Sequence, residues 1–79
     1  MLQNILDKEE LKKEVEKVLT SMSCADILFP DQADDLVVVI FNCKELTSFK
    51  ADLPGWTYSG IHLDSSKTRG YKIDFKKIN

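Results

Sequence analysis

Cys24, Cys43 and His62 carry the side chains best suited to covalent or metal chemistry, and their spacing limits what they can do. A thiolate beside an imidazole makes a nucleophile with its base, and cysteine and histidine together ligate zinc. The cysteines form no C-x-x-C pair, and the single histidine is remote from both in sequence. A tetrahedral site would need His62 and a carboxylate to converge from separate elements, so the expectation is no metal, no cofactor and no catalytic residue. Asp31, Asp34 and Asp35 crowd one stretch but lack the turn glycine and distal glutamate of a calcium loop, which leaves a solvated acidic turn. Gly55, Gly60 and Gly70 are isolated and cannot cradle a phosphate.

Binding chemistry has more to work with. The chain of 79 residues has a net charge of -2, unevenly placed. Residues 1–53 hold 6 basic and 11 acidic side chains, a balance of -5, and residues 54–79 hold 5 and 2, a balance of +3. In that second part, Lys67, Arg69, Lys72, Lys76 and Lys77 accompany Trp56, Tyr58 and His62. Exposed tryptophan and tyrosine anchor protein interfaces, while aromatic rings flanked by cations stack on bases and neutralise phosphates. Arg69-Gly70-Tyr71 matches the opening of an RNA-recognition signature. Lys72, Ile73 and Phe75 then depart from it, so the match is read as coincidence.

Two capping signatures organise the elements that position these residues. Asp7-Lys8-Glu9-Glu10 before Leu11, and Asn42-Cys43-Lys44-Glu45 before Leu46, each place a capping side chain three residues ahead of a glutamate. Behind the first, Leu11, Val15, Val18, Leu19 and Met22 recur at helical spacing to about Ser21 or Ser23. Behind the second, Leu46, Phe49 and Leu53 share a face, and Pro54-Gly55 ends a helix of about three turns. Each helix precedes two strands: Ala25 to Phe29 and Leu36 to Phe41 around a polar loop Pro30–Asp35, then Trp56 to Leu63 and Tyr71 to Ile78.

The expected fold is a single small α+β domain with element order α-β-β-α-β-β, a two-layer sandwich. Its four-stranded antiparallel sheet carries both helices on one face. At this length a lone core is marginal, which points to a partner. The run Leu36 to Phe41 then offers alternate residues to an uncovered face, either Leu36, Val38 and Ile40 or Val37, Val39 and Phe41. Pairing Leu63 with Tyr71 puts Ile61, Leu63, Tyr71, Ile73 and Phe75 in the core. It puts Trp56, Tyr58, His62, Lys72 and Lys76 outside.

That outer set is the candidate partner-binding site. The expected function is a small non-enzymatic protein-binding or regulatory module, its partner another protein or a second copy of itself. The alternative is a nucleic-acid binder using Lys67, Arg69, Lys72, Lys76 and Lys77. No secretory signal or membrane span is legible, so the expected setting is cytoplasmic, with Cys24 and Cys43 read as reduced, small apolar residues; they flank the open end of the first hairpin, where register decides whether a disulfide is within reach.

Overall fold

A computed structural model describes residues 5–45, 48–64 and 70–78, apart from the side chains of Leu63 and Asp64. Helix α1 spans Lys8–Ser21. Its capping box closes in both directions: the Glu10 amide donates to Asp7 Oδ1 at 2.8 Å, and the Asp7 amide donates to Glu10 Oε1 at 3.0 Å. Leu11, Val15 and Leu19 are fully buried, with Val18 and Met22 packed beside them, which is the apolar face the spacing predicts.

Two long strands follow, β1 (Cys24–Gln32) and β2 (Leu36–Cys43). Pro30, Asp31 and Gln32 belong to β1 and not to the connecting loop. Proline is tolerated there because β1 is an edge strand and Pro30 falls inside the register irregularity between Leu28 and Asp31. The hairpin turns through residues 33–35 and is closed by the Ala33 amide donating to Leu36 O at 2.7 Å. Its other end corrects the expectation of reduced cysteines. Both strands run far enough to set Cys24 opposite Cys43, with Cα atoms 4.3 Å apart, and the two form a disulfide.

Strands β3 (Trp56–Tyr58), β4 (His62–Asp64) and β5 (Gly70–Lys77) complete an antiparallel sheet in the order β1-β2-β5-β3. Both β3 and β4 pair with β5, along the edge that β2 leaves free, so the sheet is four strands wide. The expected α+β class and four-stranded antiparallel sheet are present. The two-helix order α-β-β-α-β-β is not: among the described residues α1 is the only helix.

The second capping box fails for a local and a global reason. Asn42 and Cys43 are the last residues of β2, where Asn42 Nδ2 donates to Asp26 Oδ2 at 3.3 Å and Cys43 is cross-linked. The chain must then return along β2 to reach Trp56, which pairs with Lys77 near the strand's other end. Eight residues of strand span roughly 23 Å at about 3.3 Å per step. The expected three-turn helix would cover only about 16 Å. The connection is irregular over residues 48–53, and Leu46 lies outside the described residues. Pro54-Gly55 is a turn and not a helix stop. The Trp56 amide donates to Leu53 O at 3.0 Å, and Gly55 takes φ +88°, as the third position of a type II turn requires.

This connection lies on the same sheet face as α1. Phe49 and Leu53 join Leu11, Val15, Leu19, Val37, Val39, Phe41, Ile73 and Phe75 in one core. Phe49 meets Tyr58 and Phe75 edge-on at centroid distances of 5.2 and 5.8 Å. Of the two possible sets on β2, the odd-numbered one therefore faces inward. Leu36, Val38 and Ile40 face outward.

Candidate outer-face interface

The outer face is built in rows fixed by the strand register, because directly opposed residues of an antiparallel pair share a face. One row reads Leu28, Ile40, Lys72, His62 across β1, β2, β5 and β4. The next reads Asp31, Val38, Asp74, and the third Leu36, Lys76, Thr57. An apolar stripe of Leu28, Leu36, Val38 and Ile40 thus runs beside a polar strip on β5. Leu28 is 60% exposed, Leu36 and Ile40 are half-buried, and Val38 is only 9% exposed. Among the described residues, no helix covers this side.

Of the expected site residues, His62, Lys72 and Lys76 stand on this face. Trp56 and Tyr58 do not, and their placement is corrected. Trp56 is only 5% exposed and its Nε1–H donates to Leu6 O at 2.8 Å. Tyr58 packs on the core, with its hydroxyl accepting from the Ala51 amide at 3.2 Å. The cause is one extra residue. Tyr58 pairs with Phe75 and His62 with Lys72, so three residues, Ser59, Gly60 and Ile61, oppose two on β5. That is a bulge, and it reverses the side-chain parity between β3 and β4. Gly60, at φ +125°, supplies the backbone freedom.

The Leu63–Tyr71 pairing is as expected, and Ile61, Tyr71, Ile73 and Phe75 lie on the core side. The Leu63 side chain lies outside the described set, as do Lys67 and Arg69. Lys77 pairs with Trp56 and is exposed at the strand end. The base-stacking platform therefore loses both of its expected rings, while Lys72 and Lys76 keep their outward positions.

Two features on this face were not read from the sequence. Ser59 Oγ and His62 Nε2 lie 3.2 Å apart across the bulge, both exposed. A serine–histidine contact resembles part of a nucleophilic relay, but the hydrogen bonds of the described residues place no carboxylate on His62 to orient its ring. The second is a shallow pocket of about 210 Å³ lined by Thr57, Tyr58, Ser59, Asp74 and Lys76. Within it Asp74 Oδ1 is shielded from solvent and has no hydrogen-bond partner among the described residues. An unsatisfied buried acceptor costs about 1–3 kcal/mol, more if charged, which makes Asp74 a costly point of this face in the single chain. Asp74 was visible as an acidic residue between lysines; its shielding depends on the bulge beside it.

Both edges of the sheet are poor docking sites. β1 carries Pro30 and two register irregularities, and the opposite edge is split into two three-residue strands. Such devices block strand addition. No group of three or more histidine, cysteine, aspartate or glutamate side chains among the described residues is placed to hold a metal. No described helix is long and apolar enough to cross a membrane. Comparison with protein-family models, with characterised proteins and with solved structures finds no match to this chain.

Proposed function

We propose that this chain is a small non-enzymatic binding or regulatory module that acts by stoichiometric contact with another protein chain through the open face of its sheet. The carrying observation is the asymmetry of cover. α1 and residues 48–53 close one face, while Leu28, Leu36, Val38 and Ile40 form an apolar stripe on the other. Burying that stripe supplies the non-directional part of association, and the polar strip of Lys72, Asp74 and Lys76 beside it supplies register and selectivity. Blunted edges favour contact through the face over strand addition.

Site-specific photocrosslinking tests this reading in cells. A benzophenone amino acid at position 28 on the outer face is compared with one at Glu16 on the exposed side of α1. A discrete protein adduct from position 28 that Glu16 does not give, and that Ile40→Glu suppresses, is the expected result. Equal labelling from both positions, or none from position 28, would sink the reading.

The expected cytoplasmic setting competes with the disulfide, because cytosolic thiols are held reduced by glutathione and thioredoxin. Alkylating the protein in acid-quenched cells decides between them. Two free thiols would support the cytoplasm, and a protected Cys24–Cys43 pair would support an oxidising compartment.

A further inference from the structure

We infer that the occupant of the open face is a second copy of this chain, docked face to face about a two-fold axis that crosses the strands between the Lys76 row and the Asp74 row. The inference rests on the binding-face reading above and names its partner.

The argument is one of self-complementarity. A two-fold interface brings the same patch of both copies together, so each group must meet its match after rotation. With the axis between these two rows, each residue meets its neighbour two positions along the same strand. Lys76 of one copy faces Asp74 of the other, Leu36 faces Val38, and Thr57 stands over the bulge that carries Ser59. Cation meets anion twice, apolar meets apolar twice, and hydroxyl meets hydroxyl. The Asp74 carboxylate, whose shielded Oδ1 has no hydrogen-bond partner among the described residues, lies opposite the ammonium of Lys76 from the second copy, at the pocket lined by Thr57, Tyr58, Ser59, Asp74 and Lys76. Two sheets stacked about 10 Å apart with strands within about 30° leave room for such side-chain contact.

Neighbouring choices of axis do worse. An axis through the Asp74 row sets Asp74 against Asp74. An axis one step further along pairs Asp74 with Lys72 and Val38 with Ile40, but it sets Asp31 against the larger apolar side chain of Leu28 and leaves Lys76 opposite Gly70, so a dimer built on it would be indifferent to Lys76→Asp.

Charge exchange across the axis provides the test. Full-length wild type, Asp74→Lys and Lys76→Asp are measured separately and as an equimolar mixture, by sedimentation equilibrium from low to high micromolar concentration. Thermal melting confirms that each is folded. The expected result is a wild-type dimer. Each variant alone should associate at least about tenfold more weakly, since it sets like charges together. The mixture should recover a heterodimer, because a chain with two lysines then meets a chain with two aspartates.

A wild type that stays monomeric throughout overturns the inference. So does a dimer indifferent to both variants, or a mixture that fails to recover. If Asp74→Lys does not fold, Thr57→Arg replaces it at an exposed position, and a dimer that tolerates the arginine overturns the proposal. The crosslinking experiment separates the two levels: an adduct of two identical chains supports this dimer. An adduct with a different protein keeps the binding-face reading and removes the second copy as its occupant.

Discussion

The two faces of the sheet use the same strands and nearly the same residue types, yet they have opposite fates. On β2, Val37, Val39 and Phe41 are at most 1% exposed, beneath α1 and residues 48–53. One step along the chain, Leu36, Val38 and Ile40 are equally apolar and lie on the side that no described helix covers, Leu36 and Ile40 half-buried and Val38 9% exposed. Side-chain type therefore does not distinguish the inner face from the outer one here. What distinguishes them is which face α1 and residues 48–53 pack against. One 14-residue helix and one connection are enough for a single layer of cover. Among the described residues no second layer stands over the outer apolar stripe.

The hardest test of that contrast is Trp56→Ala. Trp56 sits on the inner face, and truncating a buried aromatic costs about 3–5 kcal/mol. The loss should appear as a large fall in the urea midpoint and should leave the Leu6 carbonyl without its indole donor. A change of less than about 1 kcal/mol would place Trp56 on a solvent-facing surface after all.

That residue also shows how far the sequence was legible. α1 was readable because Asp7, Glu10 and the Leu11-Val15-Leu19 spacing are local and agree with one another. The Leu63–Tyr71 register was readable from alternation close to the hairpin. Trp56 and Tyr58 were misplaced because alternation was carried through Gly60, where one inserted residue reverses the faces. A glycine inside a strand pattern is the available warning. The second helix was misread at Asn42 because a capping box is a four-residue pattern. Its residues were already committed to β2 by a disulfide and by pairing with Ala25, partners far away in sequence. The outer-face residues His62, Lys72 and Lys76 were placed correctly because they lie beyond the bulge or on the unbroken β5. The Asp74 pocket was beyond reach, since it requires β3, the bulge and β5 together.

A smaller effect comes from the link that ties β1 to β2 at the open end of the hairpin. Replacing Cys24 and Cys43 together with alanine removes a cross-link over a sequence separation of 19, which stabilises by roughly 2–4 kcal/mol. Calorimetry should show a lower melting temperature. Dimerisation, measured below the new midpoint, should change little, because Cys24 packs in the inner core and neither cysteine belongs to the Lys76 or Asp74 row. A variant that stays folded but loses self-association would tie the hairpin end to the interface and break the separation between the faces.

The smallest effect is the most discriminating. Leu28→Ser removes a large apolar side chain from β1 on the outer face, where it is 60% exposed beside Ile40. In an isolated chain such a surface change shifts stability by no more than about 0.5 kcal/mol, because water already reaches most of the group. In the dimer proposed above, whose axis lies between the Lys76 and Asp74 rows, Leu28 stands in the Lys72 row and meets no strand of the second copy. The expected signature is therefore an unchanged urea midpoint at low concentration and an unchanged rise of the midpoint as protein concentration is increased; loss of that rise would move the axis toward the Lys72 row, where covering Leu28 is worth about 25 cal/mol per Å² of buried apolar area. Equal destabilisation at every concentration would mean that Leu28 contributes to the monomer's own core, and the outer face would then be a second, thinner layer of that core.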